Sequence, residues 1–352
     1  MSALTEPKRA AEFGWPGGDH PGELEFPHPV APRLADALLA ALRPNFGSLQ
    51  NAELRALTPP ASAIGRFRLV SDDRAFFLRV SAYWGEPVLE QAVTAWLRDH
   101  AVPVNHLELA GIPFDFDERR LRLDVRKLIR GRHFDGSPDD LRELAATLAR
   151  CHAALRDFPQ QARVRELSAR RFERLARVQK AMRSALERRD WHWFASDDWA
   201  ETHRDWIEEL MRAYQPRFDL LENAQCLHGQ VHRANVIFAE NRTPVLVDFE
   251  EAVHTFAPVA WDLAYFVQRF CLHDDPPENV RSQRLAVLRE AYGAPVSGVA
   301  QKMRQTAWLS ALVLIEDHSR GISSPRSEYE KFVRLEEQAR SLAPQIGEHF
   351  DE

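Results

Sequence analysis

Two hydrophobic periodicities divide the first third of the chain. Apolar residues recur at helical spacing in VAPRLADALLAALRPN, residues 30–45, with Pro32 near the start and Pro44 at the end, which predicts an amphipathic helix. The stretches RFRLV (66–70) and AFFLRV (75–80) instead have the composition of strands joined by a turn. The pattern therefore predicts a helix followed by a unit rich in strands.

Helical spacing returns in PVLEQAVTAWLRDHA, residues 87–101. Four apolar positions, Val88, Ala92, Ala95 and Trp96, fall on roughly one side of such a helix. That side is the predicted apolar face of the helix.

Strand-like spacing resumes in LRLDVRKLI, and beyond Gly131 the chain is mostly helical apart from a hairpin over residues 228–250. The predicted organisation is an N-terminal arm and helix over 1–45, a small lobe over 46–128 and a large helical lobe over 129–352. The first 30 residues are rich in turn formers, which predicts an irregular arm.

Composition and charge narrow the class of protein. The net charge of the 352 residues, −6, gives no electrostatic footprint for nucleic acid. No apolar run approaches the about 18 residues of a membrane span, and the N-terminus has no secretory pattern. Three cysteines outside any CxxC spacing argue against a disulfide framework. We therefore expect a cytoplasmic protein without nucleic-acid or membrane partners, whose oligomeric state the sequence leaves unknown.

The predicted hairpin, HGQVHRANVIFAENRTPVLVDFE, carries the candidate chemistry through His228, His232, Asn235 and Asp248. These side chains can simply cap their own backbone. His228, His232 and Asp248 can alternatively form a transition-metal site. The amide oxygen of Asn235 and the carboxylate of Asp248 can also hold Mg²⁺ beside a phosphate, because magnesium prefers hard oxygen ligands. The residues alone leave these three interpretations open.

The same stretch resembles the catalytic loop of the aminoglycoside phosphotransferase and choline kinase-like family. Members carry a pattern close to H-G-D-x-H-x-x-N, then a strand, a turn and a strand ending in I-D-[FW]-[ED], followed by a helix that begins D-L-A. Here residues 228–235 read HGQVHRAN, residues 247–250 read VDFE, and Asp262 begins the D-L-A match. The resemblance implies an α+β, bilobal, protein-kinase-like fold. Its small lobe would be an antiparallel sheet with one helix, its large lobe mainly helical, and ATP with Mg²⁺ would lie between them.

The resemblance also implies roles for individual residues. Asp248 would bind the metal ions, and Asn235 would bind the second of them. Arg79 in AFFLRV, held by Glu90 of the next helix, would contact the nucleotide phosphates. Asp262 would brace the catalytic loop, although an Asp at the start of a helix often serves only as an N-cap. The implied cofactors are ATP and Mg²⁺.

One position departs from the family pattern. Gln230 stands where the pattern has the Asp that accepts a proton from the acceptor hydroxyl or orients it. Glutamine carries no charge and has negligible basicity, but phosphoryl transfer depends mostly on positioning and charge stabilisation. The implied function is ATP-dependent phosphoryl transfer to a hydroxyl of a small molecule, with Gln230, Asn235 and Asp248 as catalytic residues. The alternatives are a catalytically impaired pseudokinase that binds nucleotide as a regulatory module, and an altered chemistry such as nucleotidyl transfer.

The acceptor remains undetermined, although family members shape its pocket with the helices before the catalytic loop. Acidic residues in that segment would suit a cationic acceptor such as an aminoglycoside, or they form a solvated helix face. The tryptophans of the same segment are expected in the core rather than stacked on a ligand. The acids are Asp197, Asp198, Glu201, Asp205, Glu208 and Glu209, and the tryptophans are Trp191, Trp193, Trp199 and Trp206.

Overall fold

The structure is a computed structural model that divides into two compact units. It describes residues 28–46, 49, 51–57, 64–71, 74–82, 85–188, 197–214, 224–319 and 326–350. The sheet unit comprises residues 1–154 and 233–253, and the helical unit comprises residues 155–232 and 254–352. The sheet unit thus includes residues 129–154 and 233–253, which belong to the large lobe in the predicted organisation. Of the predicted irregular arm, only residues 28–30 lie within the described residues.

A six-stranded antiparallel sheet dominates the sheet unit, with the strand order β1-β2-β3-β4-β6-β5. Its strands are β1 (His28–Pro29), β2 (Glu53–Ala56), β3 (Gly65–Ser71), β4 (Arg74–Ser81), β5 (Leu107–Phe116) and β6 (Arg119–Lys127). The helices are α1 (Pro32–Leu42), α2 (Pro87–Asp99) and α3 (Pro138–Arg156). A second sheet has the order β10-β9-β7, with β7 at Gly131–Arg132, β9 at Val236–Ala239 and β10 at Pro244–Leu246. The predicted first helix, the β3–β4 pair, α2 and β6 are confirmed.

One face of the larger sheet forms an apolar core. Side chains alternate between the two faces of a strand, so Phe67 of β3, Leu78 of β4 and Val125 of β6 line up across the strands on the same face. Helix α1 covers this face with Leu34, Leu38 and Leu42. The opposite face carries the arginines and acids described below.

One strand of this unit was not predicted, and one prediction is wrong. Strand β5 was missed because its register against β6 shifts between Leu107 and Leu109 and again between Leu109 and Ile112, which interrupts the alternation of its side chains. The predicted apolar face of α2 is not the buried face, since Val88 is 74% exposed. The helix instead buries a neighbouring stripe of Leu89, Glu90, Val93, Thr94 and Leu97. That stripe mixes apolar and polar residues, so hydrophobicity alone pointed to the wrong side.

The helical unit contains α4 (Gln161–Arg188), α5 (Asp197–Thr202), α6 (Arg204–Ala213), α7 (Ala260–Phe266), α8 (Glu278–Tyr292), α9 (Val299–Ser319), α10 (Arg326–Ser341) and α11 (Ala343–Phe350). Strands β8 (Ala224–Cys226) and β11 (Phe256–Pro258) pair with each other in antiparallel orientation. Along the chain, one precedes the catalytic-loop sequence and the other follows it. Trp199 and Trp206 are buried, which confirms that these two belong to the core, whereas Trp191 and Trp193 lie outside the described residues. In the part of the chain that the structure describes, no helix is long and apolar enough to cross a bilayer.

Candidate active site

The β9–β10 hairpin brings Asn235 and Asp248 to the same end of two paired strands. Its register places Val236 opposite Leu246, and one step further the backbone N–H of Val247 donates to the carbonyl of Asn235 at 3.0 Å. Asn235 is buried, and Asp248 follows Val247 directly with a left-handed φ of 62°. The hairpin therefore brings the backbone of Asn235 next to that of Val247, the residue that precedes Asp248.

Arg79 bridges the two acids at this end of the hairpin. Its guanidinium lies 3.0 Å from Asp248 Oδ1 and 2.7 Å from Glu250 Oε2. Burial tends to lower the pKa of Arg79, but the charges of Asp248 and Glu250 outweigh it and raise the pKa above its usual value. Burial and the charge of Asp248 raise the pKa of Glu250 to about 6, against the opposing effect of Arg79. The three side chains form one electrostatic unit.

Glu90 has a different partner from the one predicted. Its carboxylate pairs with Arg126 and lies 3.5 Å from Arg122, both on β6. Among the described residues, Arg79 forms ion pairs with Asp248 and Glu250 and none with Glu90. The prediction that Glu90 holds Arg79 is therefore wrong for this structure. The reason lies in the tertiary structure, because β6 brings two arginines to Glu90 of α2. The spacing of residues along the chain does not reveal this contact.

The arginines share one face of the sheet. Arg66 lies opposite Arg79, and Arg79 lies opposite Asp124. Arg122 donates to Asp124 through Nε at 2.8 Å. Burial lowers the pKa of Arg66, partly offset by the charge of Asp248, while the neighbouring charge of Arg79 lowers it further. This face, here called the charged face, therefore holds cations next to the acids of the hairpin.

The first half of the catalytic-loop sequence is held within the helical unit. The buried Asp262 carboxylate accepts the backbone N–H groups of His228 and Gly229, each at 2.9 Å. Helix α7 starts at Ala260 without a side-chain cap bond, so the N-cap interpretation of Asp262 is wrong and its bracing role is confirmed. The half-buried Gln230 follows, and its carbonyl accepts the N–H of His232 at 3.0 Å.

The predicted site residues are thus distributed over both units. Arg79, Glu90, Asn235 and Asp248 lie in the sheet unit, and Gln230 lies in the helical unit. The sequence interpretation assigned no role to Glu250, Arg122 or Arg126. Glu250 stands inside the quoted VDFE motif, so its proximity to Asp248 was a usable signal, whereas no pattern indicated the contribution of β6.

Two of the available donors suit magnesium. Among the described residues there is no cluster of three or more His, Cys, Asp or Glu side chains that can hold a metal ion. Magnesium is usually held by only one or two carboxylates together with substrate phosphates. Asn235 and Asp248 at the hairpin end supply hard oxygen atoms of this kind, so they fit such an ion.

A sequence profile of the phosphotransferase enzyme family matches residues 56–295. The chain belongs to this family. The predicted family is therefore confirmed, and with it the predictions of a phosphotransferase and small-molecule kinase. No curated protein matches the chain in a sequence comparison.

Solved phosphotransferase structures share the fold. A type VIII aminoglycoside-3'-phosphotransferase is 21% identical, with 82% of this chain and 100% of that chain covered and a TM-score of 0.50. The choline kinase LicA from Streptococcus pneumoniae is 13% identical, with 86% and 99% covered and a TM-score of 0.51. A thermostable mutant of the aminoglycoside phosphotransferase APH(4)-Ia is 17% identical, with 86% and 98% covered and a TM-score of 0.50. At these identities the likeness establishes the fold, and the predicted protein-kinase-like α+β fold is confirmed.

Proposed function

We propose that this phosphotransferase moves the γ-phosphoryl group of ATP to a hydroxyl of a small molecule, with Mg²⁺ as the metal. The observation that carries the proposal is the hairpin register. It pairs the backbone of Asn235 with that of Val247, which directly precedes Asp248. When bound, Mg²⁺ neutralises charge on the phosphates of the nucleotide. Asn235 and Asp248 would hold it through their side-chain oxygens.

Arg79 is proposed to contact the nucleotide phosphates. Its guanidinium carries a charge at every physiological pH, and it already lies at the carboxylate that would hold the metal. Asp248 and Glu250 compensate its charge in the structure. Glu90 is proposed to act indirectly, by fixing Arg126 and with it the charged face of the sheet.

Gln230 is proposed to position the acceptor through its amide. The acceptor oxygen forms its bond to the γ-phosphorus while the bond from that phosphorus to the β–γ bridging oxygen breaks and ADP leaves. Since the amide of Gln230 cannot take the proton of the hydroxyl, that proton passes to the transferred phosphoryl group and on to solvent. Loss of general-base assistance costs roughly 10²- to 10⁴-fold in rate, so we expect slow turnover.

The acceptor itself is proposed to be a small hydroxyl compound. Support for a cationic acceptor comes from the exposed acids Glu201 and Asp205. Glu208 and Glu209 contribute less, because they are already paired with Arg204 and Arg304. The side chains of Asp197 and Asp198 lie outside the described residues.

The test of the proposed function is phosphoryl transfer with and without the substitution Gln230→Asp. The protein is incubated with Mg²⁺–ATP and a panel of aminoglycosides, amino alcohols and other metabolites, and the products are followed by mass spectrometry. If proton transfer limits turnover, Gln230→Asp raises the rate by about 10-fold or more.

If the amide of Gln230 instead donates a required hydrogen bond to the acceptor, the same substitution lowers the rate, because a buried group loses a partner worth about 1–3 kcal/mol. Nucleotide binding without transfer in either form would support the pseudokinase alternative. Absence of Mg²⁺–ATP binding, measured as no rise in melting temperature at millimolar nucleotide, would overturn the proposal.

A further inference from the structure

His133 contacts the catalytic-loop segment that carries Asn235. The residue follows β7, which pairs with β9 of the hairpin. His133 Nδ1 lies 3.1 Å from the carbonyl oxygen of Arg233 and 3.0 Å from that of Val236. These two carbonyls lie on either side of Asn235 along the chain.

The contact fixes the location of one proton on the imidazole. Carbonyl oxygens only accept hydrogen bonds, so Nδ1 must carry the hydrogen and share it between both acceptors. The side chain of His133 therefore donates to the backbone in its neutral as well as its protonated form. The interaction does not require the histidine to be charged.

A second contact runs in the opposite direction. The guanidinium of Arg233 donates to the carbonyl oxygen of Phe134 at 2.9 Å. The backbones of the same two segments also approach closely, because a Cβ at Gly131 would overlap the carbonyl oxygen of Phe238. Residues 131–134 and 233–238 therefore hold each other through side-chain and backbone contacts.

These contacts restrain the backbone of Asn235 from two sides. Residues 233–235 form a 3₁₀ turn, and the carbonyl of Asn235 accepts from Val247 as described above. His133 binds the carbonyls before and after this residue. A turn held only by Val247 could rotate about that single bond, whereas the added contacts of His133 restrain the backbone on both sides of Asn235.

We propose that His133 is a positioning residue for metal binding, acting through Asn235. The proposal rests on the proposed function, since Asn235 is assigned there as a metal ligand. Residues that orient metal ligands typically change metal affinity by about 10- to 100-fold when they are removed. We therefore expect His133 to affect the affinity for the metal more than the affinity for the nucleotide alone.

Three substitutions of His133 separate positioning from general stability. In His133→Asn the amide nitrogen is separated from Cα by the same number of bonds as Nδ1, so the donor is retained. In His133→Gln the amide is displaced by one bond, and in His133→Leu the donor is removed. His100→Leu is the matched control, because the exposed His100 also directs Nδ1 to a backbone carbonyl, that of Trp96 at 2.8 Å.

The measurement uses Mn²⁺ as a probe, since carboxylate and amide oxygens suit Mn²⁺ as well as Mg²⁺. Free Mn²⁺ is followed by electron paramagnetic resonance at saturating AMP-PNP, and AMP-PNP affinity is measured separately in EDTA. We expect Mn²⁺ affinity to fall about 10-fold or more in His133→Gln and His133→Leu, and to stay near the wild-type value in His133→Asn and His100→Leu. AMP-PNP affinity in EDTA should be similar in all folded variants.

The outcomes distinguish this inference from the proposed function. If the unsubstituted protein binds no Mn²⁺ with AMP-PNP, the proposed function fails and the inference fails with it. If it binds Mn²⁺ and His133→Gln binds equally well, only the positioning role of His133 is overturned. If His133→Leu does not fold, the comparison of His133→Asn with His133→Gln decides, because both variants are polar and close in size.

Discussion

The two faces of the six-stranded sheet show how one set of strands serves two purposes. On the apolar face, Leu78 lies between Phe67 and Val125, beneath α1. On the charged face, the next residue of the same strand, Arg79, lies between Arg66 and Asp124 and reaches the hairpin acids. Since the side-chain period of a strand is two, neighbouring residues belong to different environments. A substitution should therefore disturb either the apolar core or the charged face, according to its parity along the strand.

The largest effect is expected for Glu90→Ala, because the ion pair that it removes stabilises the fold on the charged side of the sheet. Glu90 is buried and pairs with Arg126. Removing the carboxylate leaves a buried guanidinium without its partner, which costs about 3–5 kcal/mol of the free energy of unfolding. Urea denaturation measures this loss, with Glu108→Ala at an exposed position of β5 as the control. An unchanged unfolding midpoint would show that the charged face serves ligand binding alone.

A loss of similar kind is expected for Leu78→Ala on the apolar face. The side chain is fully buried, so its truncation leaves a cavity and lowers the free energy of unfolding by about 2–5 kcal/mol. Val88→Ala is the control, since that side chain is 74% exposed and should change stability by less than about 0.5 kcal/mol. The folded Leu78→Ala protein should bind nucleotide normally, whereas a substitution of Arg79 should weaken nucleotide binding. A large loss of nucleotide affinity in the folded variant would contradict the separation of the two faces.

Arg79→Gln sharpens the comparison through two effects of opposite sign. Loss of the cation should weaken AMP-PNP binding by roughly 10-fold or more, because a charge-assisted contact contributes about 1.5–3 kcal/mol. Without nucleotide, the same substitution frees Asp248 from a competing cation 3.0 Å away, so Mn²⁺ affinity should rise. Calorimetric titration measures both quantities, and Arg55→Gln on β2 is the control. Weaker Mn²⁺ binding without nucleotide would mean that Arg79 does not compete for Asp248.

The smallest expected effect concerns the pH dependence of stability. The pKa of Glu250 is raised in the folded protein from 4.5 to about 6, chiefly by burial. The folded state then binds more protons than the unfolded state between these values, so this group lowers stability as pH rises from 4.5 to about 6.

Glu250→Gln should remove that contribution and flatten the stability profile in this window. The measurement is urea denaturation of ligand-free protein at several pH values. A profile for Glu250→Gln that is as steep as that of the unsubstituted protein would assign the titration to another group.

Local signals were sufficient for much of the fold. The helix at 30–45 and the strands around 66–80 follow from hydrophobic spacing, since burial of one face imposes the period of the element. Strand β5 was not predicted, because two register shifts interrupt its alternation. The buried side of α2 escaped because Glu90 and Thr94, both polar, point into the protein. A polar residue is buried when partners elsewhere in the chain satisfy it, and spacing carries no information about those partners.

The sequence by itself determined the family and the hairpin, because both are carried by motifs that can be read along the chain. Only the tertiary structure decided that Arg79 binds Asp248 and Glu250, and that Glu90 binds Arg126. These are choices among cations and acids brought together by the sheet from distant segments. Their outcome depends on which strand lies beside which, and on distances of a few ångströms across which electrostatic attraction changes steeply in a partly buried site.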